Sequence, residues 1–145
     1  MRKLVLPLVA LAALSACANN SASTQRAATA AKVSATANGR MIYLTGKDSQ
    51  GFRINALHPP LRTSCAACHG ANGAGGVHLP GGAVSADLRQ KALAAVKPAY
   101  TLETLERAMS TGVDNQGKPL NPVMPRWQMT PRDLHDVAEF VGTLR

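Results

Sequence analysis

The chain has 145 residues, a formal charge of +8 from sixteen Lys and Arg against eight Asp and Glu, 46% apolar residues and 3% aromatics. This length allows one ordinary domain, and the composition excludes a multidomain enzyme, an acidic disordered tail and a polytopic membrane protein. Five aromatics, Tyr43, Phe52, Tyr100, Trp127 and Phe140, are few for a self-sufficient core, so the composition fits a small basic domain built around a cofactor.

The first residues read as an address. Arg2 and Lys3 precede an apolar run from Leu4 to Leu14. That run is too short to span a bilayer, which needs about 20 residues, and it has the layout of an export signal. It ends Leu14-Ser15-Ala16-Cys17, which resembles the bacterial lipobox. The expected signal is therefore residues 1–16, with Cys17 becoming the lipidated N-terminus; a plain secretory signal with a chance Cys is the competing reading. Multiple acyl chains hold a protein firmly where one does so only marginally. Ala18, in a place where Asp would favour inner-membrane retention, points to the outer membrane. Residues 17–37, rich in Ala, Ser, Thr and Asn, read as a flexible tether that averages roughly 25 Å end to end. The folded domain is expected over residues 38–145.

Its first short helix is expected around Gly39, Met41, Ile42 and Tyr43. Residues 46–64 form an extended insert with two turn signals, one form of which is a small hairpin, and His58-Pro59-Pro60 breaks any helix there. Cys65-Ala66-Ala67-Cys68-His69 follows. C-x-x-C-H is the c-type haem attachment sequence: two thiols add to the two haem vinyl groups, and the adjacent imidazole is held where it coordinates iron. A thioredoxin-like reading lacks the flanking strand and helix, and a structural zinc site lacks a second Cys pair, although His58 and His78 offer nitrogens. With Cys17 lipidated, no Cys is left for an internal disulfide.

Six of the twelve glycines lie in residues 70–82. They do not form a phosphate-binding motif, and the expectation is that they let backbone lie against a flat ring. Ser85 to Val96 reads as partly helical. Thr101 caps the next helix, whose apolar face is Leu102, Leu105, Ala108 and Met109, and Gly112 ends it. A loop with Pro119, Pro122 and Pro125 leads to the last helix, with Thr130 as N-cap, Pro131 in its first turn, Asp133 at the positive dipole end and a stripe of Leu134, Val137, Ala138, Val141 and Leu144, with Phe140 at its edge. The expected fold is mostly α.

A low-spin haem needs a sixth ligand, and His/Met ligation raises the potential. Met1 leaves with the signal, and Met41 and Met109 occupy apolar helical positions that suit core packing. Met124, framed by Pro122 and Pro125, is the expected distal ligand; Met129 is the second choice. The run from Cys65-Ala66-Ala67-Cys68-His69-Gly70 through Gly112 to Met124-Pro125-Arg126-Trp127 and a final helix resembles class I cytochrome c. The resemblance implies one covalent haem c on Cys65 and Cys68, His69 proximal and Met124 distal. It also implies that Gly39 and Tyr43 pack against Phe140, and that a Pro carbonyl, here Pro80, holds the proximal imidazole. The long insert departs from the family. Trp127 or Arg89 is expected at a propionate, with a solvated helix face the simpler role for Arg89. His58, His78 and His135 are expected at the surface.

No acid/base or nucleophile constellation stands out. The expected function is a membrane-tethered electron carrier on the periplasmic side, not an enzyme. Lys91, Lys97, Arg107, Lys118, Arg126 and Arg132 would steer docking to an acidic redox partner. Scattered basic residues and export argue against nucleic acid, and no small-molecule substrate is expected. A haem enzyme or sensor with an open iron position, and a fixed haem subunit of a larger respiratory complex, are the alternatives.

Overall fold

The computed structural model describes Thr24 and residues 34–145. The expected signal (1–16), Cys17 and most of the tether lie outside the described residues. Val33–Arg145 forms one compact unit. Helix α1 covers 34–45. It already includes 34–37, so the helical part starts before residue 38, ahead of the expected boundary. Asn38, Gly39, Ile42 and Tyr43 are its buried stripe, one to a turn apart as a helix requires. Met41, expected in the core, falls on the other face and is exposed. Gly46 closes the helix with its N–H on the Ile42 carbonyl at 2.8 Å.

The insert does begin as a small hairpin. Lys47 bridges Arg53, and the Asp48 N–H meets the Phe52 carbonyl at 2.9 Å. The chain then enters β1 (Asn55–Ala56), which pairs antiparallel with β2 (Trp127–Gln128), Asn55 opposite Gln128 and Ala56 opposite Trp127. The insert is thus fastened to the segment just after Met124.

Helix α2 (Ala66–His69) is a single turn carrying the C-x-x-C-H run. Helix α3 spans Gln90–Ala95, shorter than the expected stretch from Ser85. Residues 84–86 are extended because their backbone is engaged elsewhere: His78 bridges Val84, and the Ser85 N–H binds the Val77 carbonyl at 3.0 Å. Helix α4 (Leu102–Thr111) starts in a capping box between Thr101 and Thr104 and ends at Gly112 in the left-handed region. Helix α5 (Pro131–Val141) has Thr130 accepting the Asp133 N–H and Pro131 in the first turn. It stops one turn before Leu144, which is nonetheless buried.

Helices α1 and α5 cross at Gly39. A Cβ there would drive into the Asp136 carbonyl, so only glycine allows the approach. The Tyr43 and Phe140 rings then meet at 5.4 Å with their planes 54° apart. Asn38 stitches the crossing: its amide donates to Asp136 at 2.8 Å and Asp133 at 2.9 Å, and its oxygen accepts the Ser49 N–H at 2.7 Å. These bonds explain a buried Asp136 on a helix face that the apolar stripe alone does not include. Among the described residues no helix is long and apolar enough to cross a membrane.

Candidate haem site

An apolar cavity of about 680 Å³ opens in the unit. Cys65, Cys68 and His69 line it from α2; Leu93, Leu105, Met109 and Val141 from α3, α4 and α5; and Met124, Pro125 and Trp127 from the proline loop and β2. The four predicted haem residues, 59 positions apart from first to last, therefore share one cavity. Met129 does not line it, and His58, His78 and His135 are exposed.

His69 is buried and its position is fixed by a backbone carbonyl. Its Nδ1 lies 2.8 Å from the Ala86 oxygen, which can only accept, so Nδ1 carries the proton and Nε2 keeps its lone pair. Burial pushes the imidazole below its ordinary pKa, which favours the neutral, coordinating form; the hydrogen bond to Ala86 acts in the other direction. The expectation that Pro80 supplies this carbonyl is corrected. Pro80 opens an exposed 3-10 turn, Pro80–Gly82, while the extended Ser85–Ala86 segment lies beneath the motif.

Ser85 holds the same segment in place. Its hydroxyl donates to the Cys68 carbonyl at 2.8 Å and accepts the Val77 N–H at 2.9 Å. Tyr43 pins the end of α2, its hydroxyl donating to the Gly70 carbonyl at 2.7 Å. Burial keeps that hydroxyl protonated far above its usual range. The buried Cys65 thiol is likewise pushed up to about 12, chiefly by desolvation. Neither Ser85 nor Ala86 carries a sequence signal: a backbone carbonyl is available at every residue, and only the fold selects one.

The glycine-rich loop serves a different purpose from the one expected. None of its glycines lines the cavity. Gly75, at φ +66°, lets the loop lie directly on the Ser85–Ala86 backbone, and Gly73 lies against Leu144. The close approach is of backbone to backbone and side chain, and it supports the extended segment that holds His69.

A second loop walls the cavity. Asp114, Asn115, Gln116 and Lys118 line it within a tight turn bridged by Val113 and Pro119. Asp114 accepts the Gln116 and Lys118 N–H groups, each at 2.8 Å. Gln116 reaches across to the Lys97 carbonyl at 2.9 Å, and Asn115 binds that of Pro98. Arg107, counted among the steering cations, is instead engaged here, with Nη2 on the Asp114 carbonyl at 2.6 Å. Arg126 is similarly engaged: its Nη2 donates to the Leu120 carbonyl at 3.0 Å.

These residues fit a haem. The volume is in the range of cofactor pockets, and its lining is predominantly apolar with a few convergent polar groups. Most tellingly, the Trp127 indole N–H is buried on this wall with no partner among the described residues. A buried N–H without a partner costs stability, and a propionate oxygen would satisfy it. Arg89, the other propionate candidate, is paired with Asp87 through Nε at 3.0 Å and Nη2 at 2.6 Å and does not line the cavity. That pairing holds the half-buried Asp87 carboxyl down at about 2.

No curated protein and no solved structure matches the chain. The family model described as Cytochrome c matches residues 61–145, more than half of it. With the mostly helical fold and the C-x-x-C-H turn on the cavity wall, the chain belongs to the cytochrome c family, whose domains carry covalent haem c for electron transfer between redox proteins, and Cys65 and Cys68 fit the family's haem-attachment motif.

Proposed function

We propose that the protein is a membrane-tethered, monohaem electron carrier of the periplasmic side. The observation that carries this reading is the convergence of the motif histidine and the proline-framed methionine on one predominantly apolar cavity beside the Trp127 N–H, which has no partner among the described residues. In this reading Cys65 and Cys68 hold the haem, His69 is the proximal ligand and Met124 the distal one. Bound there, the iron supplies one-electron exchange between its ferric and ferrous forms.

The protein's own residues do the rest. Ala86 holds the His69 ring and its tautomer, and the acceptance of the Nδ1–H by its carbonyl raises the ligand's basicity. Leu93, Leu105, Met109 and Val141 exclude water from the cavity. Trp127 offers its N–H to a propionate. The carrier reading, rather than an enzyme or sensor, is supported by a thioether available to close the iron. Carbon monoxide tests it: the ferrous protein should bind the gas poorly, and rapid, complete binding would favour the open-iron alternative.

Lipidation of Cys17 and export of residues 17–145 rest on the Leu14-Ser15-Ala16-Cys17 run. Cys17→Ser should move the protein from the detergent fraction of expressing cells to the soluble periplasmic fraction; an unmoved distribution contradicts the anchor. Lys91, Lys97 and Lys118 are exposed and remain available to attract an acidic redox partner, while Arg132, also exposed, lies 3.8 Å from Asp136. Transfer rates that fall with ionic strength are expected, and salt-independent rates would remove the acidic partner from the account. Co-purification in fixed stoichiometry with a respiratory complex would favour the bound-subunit alternative.

A further inference from the structure

The loop that carries Met124 is closed around one guanidinium. Arg126 stands two residues beyond Met124. Its Nη2 donates to the Leu120 carbonyl at 3.0 Å, and its Nη1 donates to the Met124 carbonyl and reaches that of Asn121 at 3.5 Å. The side chain lies over Gly112 so closely that any Cβ there would overlap it. Gly112 in turn accepts the Leu120 N–H at 2.8 Å, fixing the start of the loop to the end of α4.

The backbone of Arg126 is held from the other side. Its carbonyl accepts the Leu57 N–H of the insert at 2.8 Å, directly beside the Ala56–Trp127 pair. The loop has little else to hold it. Pro119, Pro122 and Pro125 supply no N–H, and its internal bonds are the Met124 and Val123 N–H groups on Asn121. No carboxylate pairs with Arg126 among the described residues, so its charge is directed at the loop carbonyls. Hydrogen bonds from an ionised donor are the stronger kind.

We propose that Arg126, braced by the insert, is the positioning residue for Met124: it holds the loop in the one shape that presents the thioether to the cavity. The proposal rests on Met124 being the distal ligand. It also gives the insert 46–64 a role, as the strap that fixes the backbone of the clasping residue. Without the clasp the loop opens more readily, and an external ligand displaces the thioether at lower concentration.

The test uses the haem-loaded full chain, its Arg126→Ala and Arg126→Lys variants, and Asn38→Ala as a variant weakened at a residue that does not line the cavity. Ferric protein is titrated with imidazole while the methionine–iron charge-transfer band is followed. Arg126→Ala should bind imidazole at least about tenfold more tightly than the parent, the size of one charge-assisted hydrogen bond. Arg126→Lys keeps the charge but not the fork of donors and should fall between the two. Asn38→Ala should melt earlier than the parent with unchanged imidazole affinity. Equal affinities in the parent and both Arg126 variants overturn the proposal, as does an Asn38→Ala shift as large as that of Arg126→Ala. If Arg126→Ala does not retain haem, Arg126→Lys decides alone. A parent that lacks the band overturns the ligand assignment and the clasp together; a parent that has it beside unmoved variants overturns the clasp only.

Discussion

The Nδ1–H of His69 donates to the carbonyl of Ala86, 17 residues further along the chain, at 2.8 Å. That bond orients the imidazole and leaves Nε2 facing the work of coordination. It depends on the close approach of the Gly75 loop to the Ser85–Ala86 backbone.

Gly75→Ala should therefore act on the iron without touching it. A Cβ at Gly75 meets the Ala86 carbonyl and its φ of +66° is unfavourable for alanine, so the 85–86 segment must shift. A weaker bond to Ala86 makes the imidazole a poorer donor to ferric iron. A reduction potential above the parent's is expected in a spectroelectrochemical titration. An unchanged or lower potential would show that the Ala86 bond does not tune the site.

Haem removal should cost the whole fold. Without haem the apolar side chains that line the cavity of about 680 Å³ lose their packing partner and face water. Burial of each large apolar side chain contributes about 1.5–3 kcal/mol, and a typical domain has only about 5–15 kcal/mol of total stability, so losing several is enough to unfold it. Chain made without haem attachment, or as Cys65→Ala/Cys68→Ala, should show far-UV circular dichroism of a largely unfolded protein. Native-like helicity in that chain would mean that the core closes without the cofactor.

The α1–α5 crossing gives a stability test. Gly39→Ala should destabilise the haem-loaded protein by about 1–3 kcal/mol through overpacking against the Asp136 carbonyl. Asn38→Ala removes the amide from buried Asp136 and should cost about 2 kcal/mol. Denaturant midpoints would check both, and a midpoint equal to the parent's in either variant contradicts this account of the crossing.

The sequence carried much of this. Thr101, Gly112, Thr130 and Pro131 marked helix ends because capping is a local matter, settled within a few residues. Cys65, Cys68 and His69 were legible as a haem-attachment motif because that chemistry fixes both residue type and spacing, and the structure brings them to one cavity with Met124. Ala86 was not legible: its role belongs to a carbonyl and not to a side chain. Met41 was expected in the core and is exposed, because apolar periodicity does not show which face of α1 meets α5; the burial of Asp136 had no local signal, since Asn38, the partner that satisfies it, comes from another helix. Arg107 and Arg126 looked like surface cations, and only the folded loops show that they bind carbonyls. The insert's pairing with Trp127–Gln128 spans more than 70 positions and leaves no local pattern.

The most direct measurement of the central claim is the pair of optical spectra, oxidised and reduced, of the haem-loaded protein beside Met124→Ala. The account predicts a methionine–ferric charge-transfer band in the parent that disappears in the variant, with the covalent haem retained in both. A high-spin parent, or a band that survives the loss of Met124, would contradict it.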